Sequence, residues 1–362
     1  MKTRALVPLA LLAFVDWAAA QATATIYGVL DLNYQRVTAG DRVAPGVSGE
    51  TINRLDGNQY TLTANRLGLR FMEDLGKGLR AGGVVETGFF PDTGQTANAT
   101  LFWNRQSYVS LASTSWGEVR LGRQYRFQDE TVRLNNPFGN GMILGLNYGY
   151  RTTGPFSDPG GFIPMFVDNA RVSNAVQYMS PVFRGFRAQA IVAAGEVAAP
   201  RYEGLRFSYA KEPLTIAVAF ETQGPGSTSR AKLWTVGGGY DFGILKLVGG
   251  YQRGRDLNAA MVGSPTDPAA LSDNIGSYQD TTSHTLGLRK DIGAFAVGAN
   301  YARTRFRSAA GESRSLGRVA VGATYGLSKQ TRLFAAYGQA TGDLRERIVE
   351  SRLFQSGIDK SF

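Results

Sequence analysis

Arg66 and Arg70 alternate with Leu67 and Leu69, and Glu86 follows beyond a Glu-Asp-Leu-Gly-Lys-Gly break, in the stretch RLGLRFMEDLGKGLRAGGVVETGFF at 66–90. Fixed charges at every second position attract and steer small ions, but they break no covalent bond by themselves. Covalent chemistry needs a nucleophile with a base, and the chain has one histidine, His284, in TTSHTLGLRK, and no cysteine. In an extended chain His284 shares a face with Leu286 and Leu288, so a serine hydrolase would need its serine and carboxylate on that same apolar face, and nothing marks them. Zinc lacks ligands for the same reason. Loop carboxylates such as Asp256, Asp267 and Asp273 leave calcium open, although no twelve-residue binding loop accompanies them. The glycine runs GGGYDFG and LVGGY carry no phosphate-loop pattern and read as small residues that let strands pack or bend. The residues therefore point away from an enzyme, a zinc site or a cofactor.

Strands must position these charges. Leu67, Leu69 and Phe71 share one face of an extended segment, and Arg66, Gly68 and Arg70 the other. Over 79–89 the same test separates Ala81, Gly83, Val85, Thr87 and Phe89 from Arg80, Gly82, Val84 and Glu86. Over 293–303 it separates Phe295, Val297, Ala299 and Tyr301 from Ala296, Gly298, Asn300 and Ala302. Sixteen such segments are bounded by Gly, Asp, Asn, Ser or Pro. They fall at 24–36, 59–73, 79–90, 102–113, 116–125, 171–180, 184–195, 202–211, 213–222, 230–241, 243–253, 281–290, 293–305, 316–326, 330–340 and 350–362. Short turns such as EDLGKG, STSW, KEP, DFG and KDIG alternate with long polar stretches at 37–58, 126–170 and 254–280. That asymmetry suits an up-and-down barrel with short turns on one side of a membrane and long loops on the other.

Bulk properties agree. Met1-Lys2-Thr3-Arg4, a short apolar run and small residues at Ala18 and Ala20 read as a secretory signal peptide over 1–20, with Ala22 as an alternative cleavage point. The remaining 21–362 carries 37 basic against 28 acidic residues, a net charge of +9, and reads as one domain. An exported chain without disulfides must rely on its own hydrogen bonding and packing. No later stretch approaches the roughly 18 apolar residues of a membrane helix, so membrane entry has to be as a barrel. The segments approach the nine to eleven residues that cross a bilayer at a tilt. Tyr27, Tyr34, Phe89, Phe90, Trp103, Tyr125, Tyr240, Tyr251 and Tyr325 near their ends suit interfacial girdles. In such a barrel the leucines face lipid and the arginines face water in the lumen, so neither is buried in the wrong solvent. Sixteen strands enclose an aqueous channel. Export and the spread of basic residues over many strands argue against a nucleic-acid partner.

TIYGVLDLNY, NRLGLRFMEDLGKGLRAGGVVETGF, NRQSYVSLAS, WGEVRLGRQY, SNAVQYMSPVFRGF, GGGYDFGILKL and YGLSKQTRLFAAYG, in this order, make the chain similar to the general diffusion porins of Gram-negative bacteria, particularly the beta-proteobacterial type. The resemblance covers nearly the whole chain after the signal. It implies a trimer of sixteen-stranded antiparallel barrels in the outer membrane, passing small hydrophilic solutes and ions. It also implies that the third long loop, 126–170, folds inward as an eyelet, with arginines on the wall facing acidic residues across it. By motif Arg66, Arg105, Arg171 and Glu86 belong to that constriction, with Arg70 and Arg80 on the same polar faces and Asp129 and Glu130 on the loop. Parity supports Arg66 and Glu86 but is ambiguous for Arg105, because Trp103, Val109 and Leu111 share it. Such a column concentrates anions, an effect that salt screens. The alternative is that these arginines are ordinary solvated wall residues, with excess charge in loops or turns contacting lipopolysaccharide. SGIDKSF resembles the family's closing strand, whose terminal aromatic is read by the outer-membrane assembly machinery. A rival within the same scaffold is a substrate-specific porin with a saturable site, for which Tyr125, Phe127, Phe138, Tyr148 and Tyr150 offer an aromatic track.

Overall fold

The computed structural model describes residues 22–43, 47–146, 150–151, 162–163, 165–167, 170–195, 201–224, 230–257, 278–308 and 311–362. The signal-peptide segment, Tyr148, Asp267 and Asp273 lie outside them. The strands are β1 (Thr23–Thr38), β2 (Thr51–Asp56), β3 (Arg66–Gly76), β4 (Leu79–Thr87), β5 (Gln106–Ser113), β6 (Gly117–Tyr125), β7 (Tyr150–Arg151), β8 (Phe162–Ile163), β9 (Arg171–Met179) and β10 (Phe186–Ala193). They continue with β11 (Arg201–Lys211), β12 (Leu214–Gly224), β13 (Ala231–Asp241), β14 (Lys246–Arg255), β15 (Tyr278–Ile292), β16 (Phe295–Ser308), β17 (Ser313–Gly326), β18 (Thr331–Thr341) and β19 (Arg352–Ser361). Helix α1 (Phe127–Val132) runs into a 3-10 turn, Arg133–Asn135.

Sixteen of these strands form a closed antiparallel barrel. Each pairs with its neighbours, β6 pairs with β9 across the long insertion, and β19 closes the ring on β1 through pairs running from Val29–Ser361 to Thr38–Arg352. Closure leaves no sheet edge, which a strand structure in lipid requires. Phe362 completes it by exchanging backbone hydrogen bonds of 3.1 Å with Gly28. All sixteen expected segments are present, with three changes near the start, one being that β5 begins at Gln106 rather than at 102. Strand β3 begins at Arg66 rather than at 59, and the stretch 37–58, expected to be loop, contains β2. Strand β2 lies against the upper half of β1, whereas β3 takes the lower half. Asn65 breaks the run between them, since its side chain accepts from the Asp31 amide and donates to the Asp31 and Gly57 carbonyls.

Local chemistry fixes the turns. Between β3 and β4, Gly76, Lys77 and Gly78 all have positive φ, 82°, 51° and 77°. Two glycines make that tight reversal nearly free of steric cost. On the walls the usual burial order is inverted. Leu67, Phe71, Val109, Leu121, Leu286 and Val321 are exposed outward, while Gln35, Gln177, Gln252, Thr304 and Gln355 are buried inward. A contiguous apolar exterior of this size is a surface made for another solvent, the bilayer.

The interior holds the described residues of the insertion between β6 and β9. Met142, Ile143, Leu144, Leu146, Tyr150, Ile163, Met165, Phe166 and Val167 form one apolar cluster with inward side chains such as Leu233, Phe306, Leu316, Phe334 and Leu353. Its backbone is tied down by side chains of the wall. The Ile143 amide donates to Gln355 at 2.8 Å, and Gln252 both accepts from the Val167 amide (2.6 Å) and donates to its carbonyl (3.0 Å). Asn300 donates to the Leu144 carbonyl at 3.1 Å and Arg318 to that of Gly145. These inward amides and guanidinium supply the partners that irregular backbone needs at this depth.

The girdle expectation is corrected in two places. Tyr34, Tyr240, Tyr251 and Tyr325 are exposed outward. Tyr27 and Tyr125 point into the lumen, where their hydroxyls meet Glu86 and two arginines. For Tyr125 the cause is a register shift between Gly122 and Gln124, which breaks the alternation counted from Leu121.

Candidate functional site

Glu86 is the hub of a charged band across β3 to β9. It stands on the inward face of β4 opposite Gly68 and is only 2% exposed. One carboxylate oxygen accepts from Arg105 Nε at 2.7 Å. The other accepts from the Tyr27 hydroxyl at 2.9 Å and lies 3.9 Å from Arg66 Nη1. A Cβ at Gly68 would overlap the Tyr27 ring, so the glycine between Arg66 and Arg70 makes the space in which tyrosine, arginine and glutamate converge.

Tyr125 joins this group to the next strand. Its hydroxyl accepts from Arg105 Nη2 at 2.6 Å and Arg171 Nη2 at 3.2 Å. The guanidiniums of Arg171 and Arg133 lie 4.8 and 5.4 Å from its ring centre, within cation–π reach. Arg133 also pairs with Asp129 one turn earlier on α1, at 2.8 Å. Four guanidiniums, those of Arg66, Arg105, Arg133 and Arg171, thus gather around two carboxylates, Glu86 and Asp129, leaving two net positive charges.

The expected site residues do not all meet. Arg66, Arg105, Arg171 and Glu86 do. Arg105 faces inward despite its parity because it precedes β5 rather than belonging to it. Asn104 there accepts from the Gly88 amide at 3.0 Å and resets the direction of the chain. Arg70 reaches the band only through Tyr27, 5.3 Å from its ring centre. Arg80 is exposed at the turn end of β4, opposite Asp74 and about 20 Å along the strand from Glu86. Glu130 turns away toward Arg206 on β11, at 3.5 Å, and Arg206 is held by Gln189 and Thr131. Surrounding protein raises the Glu130 carboxyl above the ordinary glutamate range, with Asp129 adding to this and Arg206 opposing it. Reading from sequence missed Tyr27, Arg133 and Arg206. Arg133 was accessible from its spacing of four from Asp129 in FQDETVR, which on a helix makes a pair.

Helix α1 is anchored by the wall at β11 and β12. The Gln128 amide donates to Glu221 at 2.9 Å, and the same carboxylate oxygen accepts from the Tyr202 hydroxyl at 2.6 Å. A carboxylate at a helix N-terminus satisfies amides that have no partner within the helix. Arg126 just before it donates to Gln223 at 2.8 Å and lies over Tyr202, 4.6 Å from the ring centre. Phe127 and Tyr150 are packed into the wall and Phe138 partly so, which removes them from any aromatic track along the lumen. His284 is outward, with its ring centre 6.1 Å from that of Tyr301. Among the described residues no three His, Cys, Asp or Glu side chains cluster as metal ligands.

Known proteins share this fold. Outer membrane porin protein 32 of Delftia acidovorans is 31% identical, over 91% of this chain and 87% of its own. An outer membrane porin protein of Bordetella pertussis is 27% identical, over 93% and 94%. Among solved structures, an anion-selective porin from Comamonas acidovorans superposes with a TM-score of 0.70 at 25% identity, covering 94% of this chain and all of that one. OmpT of Vibrio cholerae in a trimer form matches with a TM-score of 0.65 at 15% identity, covering 94% and 99%, a likeness of fold. The Gram-negative porin family matches residues 5–344. The chain belongs to the Gram-negative porin family, whose relatives are proteins of the outer membrane.

Proposed function

We propose that this outer-membrane porin is a passive general diffusion channel for small hydrophilic solutes, and that the band at Glu86 and Tyr125 gives it a preference for anions. The observation that carries this reading is the excess of guanidinium over carboxylate in one inward-facing cluster. Positive charge in a narrow passage between low-dielectric walls raises the local concentration of anions and repels cations. The described residues of the insertion 126–170 support it, because their packing against β9 to β19 leaves the arginine-bearing wall of β3 to β6, with Arg171 at the start of β9, to line the free side of the lumen. The anion-selective relative in Comamonas acidovorans agrees in direction. We further infer export through a cleaved segment 1–20, assembly through the terminal Phe362, and a homotrimer, as in the trimeric neighbour.

Single-channel recording in a planar bilayer tests the reading. Large conductance steps that grow with salt without saturating, with a reversal potential of anionic sign across a salt gradient, are the expected result. Saturation by one solute class at millimolar concentration would instead favour a substrate-specific porin. No conductance from correctly inserted protein would remove the channel reading altogether.

Glu130 adds a pH dependence. A raised carboxyl binds its proton earlier on acidification than an ordinary glutamate of pKa about 4.3, so the lumen loses a negative charge at a higher pH than an ordinary glutamate would allow. Anion preference therefore rises as pH falls from neutral, with an inflection above the usual glutamate range. Glu130→Gln flattens that inflection and raises the neutral-pH preference; an unaltered pH profile in this variant would show that Glu130 is not the titrating group.

A further inference from the structure

The outer wall carries a second basic cluster that the channel does not use. Arg303, Arg305 and Arg307 on β16 share the outward face of Phe295, Val297 and Tyr301, the lipid-facing row lower on the same strand. Across the ladder, His284 pairs with Arg303, Thr282 with Arg305 and Asp280 with Arg307, while Arg253 on β14 pairs with Thr282. Together these residues line a recess of about 490 Å³ on the barrel exterior. Four guanidiniums stand there with one carboxylate, that of Asp280, giving three net positive charges with the imidazole neutral.

Asp280 does not quench them. It contacts Arg307 and lies 3.8 Å from Arg253, and Arg253 spends one nitrogen on Thr282 at 2.5 Å. Among the described residues Arg253 Nε is buried without a hydrogen-bond partner, Arg303 donates to Ser315 at 3.2 Å, whose hydroxyl in turn donates to Asp343, and Arg305 has no ion pair or hydrogen bond. Elsewhere on the exterior, Arg201 and Glu203 of β11 pair at 2.6 Å.

Height fixes the kind of partner. Leu286, Tyr301 and Val319 end the apolar band one step toward the turn side, and the cluster starts immediately beyond it, at the loop end of the strands. Arginine on a lipid-facing row is costly at mid-membrane and tolerated only near the interface, where headgroup phosphates lie. Guanidinium forks match phosphate oxygens bidentately, and the alternating arginines of β16 repeat such a fork about every 7 Å. In an outer-membrane barrel the long-loop end faces outside. We propose that the outward face of β14 to β16 is a binding site for the phosphate groups of an outer-leaflet lipid headgroup. It is separate from the lumen, so it stands whether or not the channel prefers anions.

The folded barrel, reconstituted in detergent, is incubated with bis-phosphorylated lipid A, and retained lipid is counted by native mass spectrometry. Arg303→Gln, Arg305→Gln and Arg307→Gln combined should lower retention at least tenfold while single-channel conductance stays unchanged, because none of the three faces the lumen. Arg305→Glu alone, at a position with no partner to lose among the described residues, should lower it severalfold and covers the case in which the triple variant does not fold. Equal retention by wild type and folded variants overturns the proposal, as does equal retention of fully dephosphorylated lipid A. Displacement by inorganic phosphate at the concentration of the lipid would also overturn it, since that would mark a free-anion site rather than a lipid site.

Discussion

Replacing Arg66, Arg105 and Arg171 together by glutamine is expected to lower the anion-to-cation permeability ratio by roughly tenfold to a hundredfold at low salt. A unit charge acts on an ion 4 Å away with about 1 kcal/mol in a water-like dielectric and half of that at 8 Å. Three charges at such distances amount to about 1.5–3 kcal/mol, and about 1.4 kcal/mol is a factor of ten. The effect should shrink severalfold in 1 M salt, where the screening length is about 3 Å. The triple change leaves Glu86 buried with Tyr27 as its remaining partner, and an unpaired buried charge costs several kcal/mol. Adding Glu86→Gln removes that burden and keeps a hydrogen-bonding side chain in place. Heat-modifiable gel migration checks that the barrel has formed, and the reversal potential across a tenfold gradient reads selectivity. A folded variant with wild-type selectivity at low salt would show that these arginines are ordinary solvated wall residues.

Which parts of this site were legible in the sequence follows from physical range. The sixteen strands were, because each must present lipid on one face and water on the other, and a period of two survives without any partner. RLGLR shows it in five residues. Arg66 and Glu86 inherited their direction from that alternation. Arg105 did not, because the chain is still irregular at Asn104, and Tyr125 did not, because the shift at Gly122 rotates the end of β6 inward. Strand β2 and helix α1 depend on distant partners. The first needs the upper edge of β1 and the second the Glu221 carboxylate on β12, which no local pattern encodes. The outward arginines of β16 were in plain view as RTRFRS, but their significance rests on their height relative to Tyr301, which only the assembled barrel defines.

The glycines of the far wall read locally as ease of bending, and in the barrel they have a sharper role. Gly237 and Gly250 leave room for Asn135, Gly287 and Gly298 for Pro137 and Phe138, Gly322 for Leu144 and Gly338 for Ile143. A Cβ built at Gly338 would stand 2.5 Å from Ile143 Cγ1, and one at Gly322 2.8 Å from Leu144 Cδ1. Neither contact is possible without movement, and the strand, paired on both edges, yields less than the segment lying on it. Gly338→Leu is therefore expected to push residues 142–146 into the lumen, lowering single-channel conductance and adding open-channel noise, at about 1–3 kcal/mol of overpacking. Gly326→Ala serves as the control, because its new methyl would meet its nearest neighbour at 3.7 Å, an ordinary contact, and conductance should not change. Ile143→Ala vacates the volume that leucine would claim, so combining it with Gly338→Leu should restore much of the wild-type conductance, a non-additivity that two contacting residues must show. Ile143→Ala alone opens a cavity under the segment and costs about 2–5 kcal/mol of local packing. If Gly338→Leu conducts like wild type while folded, the segment does not rest on this wall, and the free side of the lumen would no longer be set by the arginines of β3 to β9.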